Sequence, residues 1–249
     1  MRLTGRLTVA LAVAGLTLSA CSAGSSTDPD DSGAPQASGS QGAKGPSDET
    51  VTLGLVAEPA SLDFRTSDGA AIPQLLLGNV YETLVTVDPE SGEIVDALAE
   101  SHEVSKDGRT YTFTLPAGRT FSDGSELTSK DVAASIEAVK GTTWTTSLKK
   151  QMDVVRSVET PDEKTVVVTL TKPSASWLYA MTTRVGAVFP SDTQAKLATD
   201  PVGSGPYDVK NWKRGDRITL ERREDTQGEK PYFKTAVFRS FKDGTALNN

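Results

Sequence analysis

Two residues carry most of what this 249-residue chain could do by covalent or metal chemistry, and each occurs once: Cys21 and His102. A single histidine cannot supply a His-based metal cluster, and without a Gly-x-Ser-x-Gly elbow it makes no nucleophile–base pair. His102 therefore reads as a partly buried packing residue. A single thiol excludes an intramolecular disulfide, so the fold must be held by its core. The Gly203-Ser204-Gly205 turn is not followed by Gly-Lys-Ser/Thr, so it is no phosphate-cradling loop. Its glycines allow either close backbone approach or positive φ, and Pro206 fixes the exit. The expectation is no enzyme, no metal and no cofactor. What remains is noncovalent binding, and covalent modification of Cys21.

The elements that would position a binding surface are clearest in the run 109–140, RTYTFTLPAGRTFSDGSELTSKDVAASIEAVK. Tyr111, Phe113 and Leu115 alternate with Thr110, Thr112 and Thr114, which is the period of a strand with one apolar face. Pro116 ends the ladder, and Asp123-Gly124 supplies a turn. Thr128 stands three residues before Asp131 and caps a helix, with the acid near the positive end of its dipole. Val132, Ile136 and Val139 form the buried stripe of that helix.

Other segments extend the pattern. Residues 51–56 read as a buried-type strand, and residues 58–63 as an irregular loop. Ile72, Leu75, Leu76, Val80 and Leu84 carry helical spacing over 70–84. Val85 and Val87 enter a short strand closed by residues 88–92. Residues 154–158 and 165–170 flank the turn Pro161-Asp162-Glu163-Lys164 as a hairpin. Helices are expected over 173–181 and over 191–199, the latter capped by Ser191. Strands are expected at 218–222 and 236–239, and the start of a further helix at 242–249. Strands and helices alternate, so the class is α/β.

The first fifty residues have a different character. Arg2 and Arg6 precede an apolar run over 7–18 that is too short for a comfortable membrane span. Leu18-Ser19-Ala20-Cys21 resembles a bacterial lipobox, which implies cleavage before Cys21 and lipidation of its sulfur. Residues 21–49 hold Ser, Gly, Ala, Pro and Asp with no aromatic and no long aliphatic side chain, a composition that cannot offset its ordering entropy. They are expected to be a disordered tether with an r.m.s. reach on the order of 30 Å. The organisation expected is a lipoprotein signal peptide (1–20), a tether (21–49) and a globular body (50–249). No other segment is apolar enough to span a bilayer. The net charge of −7, from 26 Lys and Arg against 33 Asp and Glu, argues against nucleic acid and against adhesion to anionic lipid.

The order D-G-x-T-Y-T-F-x-L-x-x-G-x-x-F-x-D-G-x-x-L-T-x-x-D-V, running here from Asp107 to Val132, resembles the signature region of the family 5 extracellular solute-binding proteins, the oligopeptide, dipeptide and nickel receptors of ABC importers. Pro59-Ala60-Ser61-Leu62-Asp63 is similar to their P-x-S-L-D-P element, with Phe64 in place of the last proline. Residues 96–102 resemble P-x-L-A-E-S-W, with His102 at the tryptophan position. Gly203-Ser204-Gly205-Pro206-Tyr207 resembles G-T-G-P-Y.

The resemblance covers residues 50–249 and only the first half of the family's length. It implies a periplasmic-binding-protein-like type II lobe, a mixed sheet with flanking helices, incomplete and with the second lobe missing. It implies capture of di- or oligopeptides outside the membrane by lobe closure, then delivery to the permease subunits, by a monomer anchored through its lipid on the extracytoplasmic face of the cell membrane. The ligand-binding positions it implies are Glu58, Phe64, Arg65, Thr66 and Ser67 in the loop after the first strand, with Trp177 and Tyr207 as apolar walls. A Glu58 carboxylate would accept a peptide's amino terminus. The plainer reading of the same residues is that Trp177 and Tyr207 are core aromatics, and Glu58 and Arg65 solvated charges. Alternatives for the whole chain are a non-peptide solute such as a nickel chelate, sugar or opine, a truncated lipoprotein remnant or interaction module that binds no solute, and a lipid-anchored hydrolase.

Overall fold

The computed structural model describes residues 45–55, 57–66, 69–141, 143–192, 197–228 and 230–241. The leader, Cys21, most of the tether, Ser67 and the expected helix start at 242–249 lie outside them.

Among the described residues, ten strands form three sheets. The first holds β1 (Thr50–Leu55), β8 (Tyr207–Lys213), β9 (Arg217–Arg222) and β10 (Thr235–Ser240) in the order β1-β10-β9-β8. It is mixed, because β1 runs parallel to β10 and the other pairs are antiparallel. A two-stranded ribbon pairs β2 (Val85–Val87) with β3 (Ile94–Asp96). The third sheet is antiparallel, in the order β4 (Ser101–Val104), β5 (Thr110–Thr114), β7 (Thr165–Leu170), β6 (Val155–Glu159). The helices are α1 (Ala71–Leu76), α2 (Ser129–Lys140), the single turn α3 (Thr146–Lys149) and α4 (Ala175–Ala180).

The strand–turn–helix run forms as its spacing dictates. Tyr111, Phe113 and Leu115 are buried while the threonines between them are half-exposed. Asp123 Oδ1 accepts the Ser125 N–H at 2.9 Å to close the turn, and Gly124 adopts φ 85° there. Thr128 and Asp131 form a capping box, and the Asp131 carboxylate accepts from the Thr128 N–H and hydroxyl at 3.0 and 2.9 Å. Val132, Ile136 and Val139 are buried against β6 and β7.

Two expectations need correction, the helix over 70–84 and the buried first strand. The helical spacing over 70–84 yields a helix only at Ala71–Leu76. Gly78 takes φ 77°, and its N–H turns back to the Tyr81 carbonyl at 2.8 Å. Val80 and Leu84 are buried all the same, by the folded-back chain rather than by helical phase. β1 is not a buried strand: it is the sheet's edge, exposed at Thr52, Leu53 and Gly54 and buried only at Leu55. Ser191 donates its N–H to Asp131 Oδ1 at 3.1 Å, and residues 193–196 of the expected helix lie outside the described residues. Finally, β3, β4 and β8 had no sequence signal. β3 has only three residues, β4 is short and mostly polar, and the register of β8 shifts between Val209 and Asn211, which breaks its period.

Gly203-Ser204-Gly205, just before β8, packs against the Asn79–Val80 backbone. A Cβ on Gly203 would lie 1.9 Å from the Val80 carbonyl oxygen, and one on Gly205 2.3 Å from that of Asn79. Close approach, not positive φ, is therefore what these glycines provide. The buried Arg223 guanidinium donates to the carbonyls of Gly203, Gly205 and Phe121 at 3.4, 3.2 and 3.1 Å. It thereby joins the end of β9 to the turn before α2.

Candidate functional site

The loop after β1 is built around one carboxylate. Asp63 takes the Arg65 side chain in a two-pronged pair at 2.8 Å on each oxygen, and its Oδ1 also accepts the Arg65 N–H at 3.0 Å. The Ser61 hydroxyl accepts the Asp63 N–H, and the Thr66 hydroxyl donates to the Asp63 carbonyl. Leu62 and Phe64 alternate into the core. Phe64 meets Tyr81 and Trp144 edge-on at centroid distances of 4.9 and 5.7 Å. Burial, reinforced by the negative Asp63, pushes the Tyr81 phenol above its ordinary range, and among the described residues its hydroxyl has no hydrogen-bond partner.

The start of this loop is fixed at its other end. Glu58 Oε1 accepts the Trp212 indole N–H at 2.9 Å, and its two oxygens accept the Gly215 N–H at 3.0 and 2.9 Å. The Arg214 guanidinium lies 3.4 Å from the Trp212 ring centroid and donates to the Ala60 carbonyl at 2.9 Å.

A cleft of about 1210 Å³ opens where the chain enters α1, between that helix, the ends of β6 and β7, and α4. Pro73, Leu77 and Val154 give it an apolar lining. Lys150, Lys172, Tyr179 and Arg184 also line it, and Tyr179 is 59% exposed. Pro73, Leu77 and Arg184 also border a small void of about 10 Å³ that reaches Phe64, so the loop's aromatic plug backs the cleft floor.

Of the expected binding positions, Trp177 alone among the described residues lines this cleft. It is only 1% exposed, with its ring 4.8 Å from Tyr111 and 6.4 Å from Phe113, so it is chiefly a core aromatic. Tyr207 is likewise core, and its hydroxyl donates to the Phe233 carbonyl at 2.6 Å. Phe64 and Arg65 are buried, and Thr66 is exposed beside them. Neither of the plainer readings of Glu58 and Arg65 as solvated charges holds, since both are bonded within the fold. Ser67 lies outside the described residues. His102 is indeed a packing residue, stacked on Phe113 at 5.8 Å and bonded to Asp96 at 2.6 Å. Sequence reasoning missed Lys150, Lys172, Tyr179 and Arg184; exposed polar residues in short segments carry no periodic signal. Among the described residues no group of His, Cys, Asp and Glu is placed to hold a metal ion, and no helix is long and apolar enough to cross a membrane.

The model of the bacterial extracellular solute-binding proteins, family 5 Middle, matches residues 93–249. The chain belongs to this family. An ABC transporter peptide-binding protein of Brucella ovis is 33% identical over 175 residues, which is 67% of this chain and 33% of the relative. The chain thus spans about a third of the length of the curated relatives it matches. Among solved structures, AgaA of Agrobacterium tumefaciens in complex with agropinic acid is 32% identical, with a TM-score of 0.73 over 80% of this chain and 41% of that one. DppA of Helicobacter pylori in complex with the peptide STSA is 26% identical, with a TM-score of 0.71 over 80% of this chain and 44% of that one. The fold is the α/β architecture of the periplasmic binding proteins, of which this chain covers part.

Proposed function

We propose that this family 5 chain serves as the solute receptor of an ABC importer, capturing di- or oligopeptides outside the membrane and presenting them to the permease. The observation that carries the reading is the family match over residues 93–249 together with a wide cleft backed by the loop around Asp63. The relatives described as peptide-binding favour peptide over other solutes. A cleft of this size has the dimensions of a small-molecule site, and one wall combines apolar side chains with cations and an exposed phenol. Capture needs no covalent step, so the protein acts as a binder and not an enzyme. We assign Thr66, exposed in the loop after β1, and Trp177, in the cleft wall, as contacts with ligand, and Ser67 by the resemblance alone; Glu58, Phe64, Arg65 and Tyr207 support them. Lipidation at Cys21, with a tether over 21–49, would hold a monomeric receptor on the extracytoplasmic face.

The test is ligand-dependent thermal stabilisation of the full chain against a tetrapeptide library. A receptor gains stability by mass action, roughly 2.7 kcal/mol at a hundred times Kd. No shift with any peptide would reject the reading. Incorporation of labelled fatty acid into the wild type and not into Cys21→Ala tests the anchor separately. A second reading, a non-peptide solute such as an opine, is favoured by AgaA, whose structure holds agropinic acid. A shift with such an acid and none with peptides would select it.

A further inference from the structure

The chain is acidic overall, with 33 Asp and Glu against 26 Lys and Arg. The cleft reverses that sign. Among the described residues its lining holds Lys150, Lys172 and Arg184 and one carboxylate, Asp153. Lys150 and Lys172 are exposed, and among the described residues neither has a carboxylate partner, Asp153 included. Most other lysines with a nearby acid do pair with it: Lys140 with Glu137, Lys210 with Glu221, Lys213 with Asp216.

The hydroxyls of the cleft are occupied differently. Thr171 donates to the Val154 carbonyl at 3.2 Å, Thr182 to that of Tyr179 at 2.8 Å, and Thr183 to that of Ala180 at 2.7 Å. A hydroxyl has one proton, and these three are spent on backbone carbonyls. Ser174 and Ser176 are bonded to each other at 3.0 Å. The side-chain donors left facing the cleft are the cations, with the Gln151 amide and the Tyr179 hydroxyl beside them. A solute that replaces its lost water contacts here must offer acceptors, and charged acceptors match best.

We propose that the cleft selects acidic solutes, peptides whose side chains carry carboxylates, and that Lys150 and Lys172 are the residues that set this preference. The proposal rests on the reading of the cleft as a solute site. Pro73, Leu77 and Val154 would meet the apolar parts of such a peptide, while the two lysines meet its carboxylates.

The experiment is calorimetric titration of the full chain with Ala-Glu-Glu-Ala, Ala-Lys-Lys-Ala and tetra-alanine, for wild type and for the double variant Lys150→Gln, Lys172→Gln. Two exposed charge pairs correspond to about tenfold tighter binding of the acidic peptide than of the basic one. That preference should shrink in high salt and vanish in the double variant, whose Tm should match wild type because both side chains are exposed. Equal binding of the acidic and basic peptides would overturn the selection and leave the solute site standing. A preference that survives in the double variant would overturn the assignment to these lysines. Binding of none of the three, with the fold intact by circular dichroism, would remove the peptide reading and this inference together.

Discussion

The Glu58 carboxylate accepts the Trp212 indole N–H at 2.9 Å, across 154 residues of sequence. With the two bonds from the Gly215 N–H, this makes Glu58 the latch between the loop after β1 and the β8–β9 turn. A charged acceptor with an indole and a backbone donor is a strong arrangement, and removing it orphans both donors. Glu58→Ala is expected to cost about 2–3 kcal/mol by urea unfolding. Glu58→Gln should recover part of it, since one amide oxygen can still accept. In the Ala variant the Trp212 emission should also move to the red as the indole meets water. An unchanged midpoint and an unchanged spectrum would show that the latch is not closed in solution.

Arg223 is predicted to be the costliest single cation to remove. Its guanidinium binds three backbone carbonyls from two separate segments and pairs with Asp225 at 3.0 Å, while its side chain is buried. Truncation to alanine would leave those carbonyls without donors and open a void, for a loss of about 3–5 kcal/mol. Arg222 is the comparison. Its Nη1 also reaches three carbonyls, of Ser47, Pro231 and Tyr232, but these belong to the strand-end loops of one sheet. Hydrogen exchange would separate the two. Arg223→Ala should raise exchange in α2 and the Phe121 turn, whereas Arg222→Ala should raise it at β1 and β10 only. The same exchange pattern in both variants would remove Arg223 as the tie between the end of β9 and the Phe121 turn.

What could be read from the sequence follows from what repeats. β5, β7 and α2 have faces of three or more apolar residues at a fixed period, and all three stand where that period puts them. The 58–66 loop has no period, so its backbone course was visible only through resemblance, and its side-chain roles were not. Glu58 reads as an exposed acid, but its partner lies on a distant turn whose strand is itself bulged. The cleft is harder still. Its lining comes from α1, β2, α3, α4 and the segments just before β6 and just after β7, and no local pattern brings such positions together. Trp177 was found because it is large and aromatic, which marks core and binding wall alike.

Gly203 and Gly118 offer a matched pair for a substitution test. Gly203 has no room for a side chain, since a Cβ would sit 1.9 Å from the Val80 oxygen. Gly118 has open space around it but takes φ 71°. Gly203→Ala must push the Gly-Ser-Gly strand off the Asn79–Val80 backbone, breaking the 2.9 Å bond from the Gly205 N–H to the Val80 carbonyl. Loss of cooperative unfolding is expected. Gly118→Ala bears only the left-handed strain, about 1–2 kcal/mol. Comparable melting of the two variants would contradict the close packing at Gly203.

Acid should destabilise the fold through its turn carboxylates and not through Asp208. The Lys164 N–H and then the Thr165 hydroxyl hold Asp162 below its ordinary value of 3.8, and the Ser91 N–H does the same for Asp88. A carboxylate depressed in the folded state contributes stability that is full above 3.8 and is lost as the pH falls through its folded value. Asp208 is opposite in sign. Burial pushes its carboxyl up, and the Arg223 charge offsets only part of that. Its charged form is thus a cost to the fold, and that cost appears as the pH rises from 3.8 through the folded value. Asp162→Asn should therefore lower Tm at pH 7, with the gap to wild type closing as the pH falls below 3.8 through the folded value. Asp208→Asn should leave Tm equal or higher at pH 7 and match wild type near pH 4. A Tm scan from pH 2 to 8 on the three proteins decides it, and a destabilised Asp208→Asn at pH 7 would mean that the attraction of the nearby Arg223 charge outweighs the desolvation of Asp208.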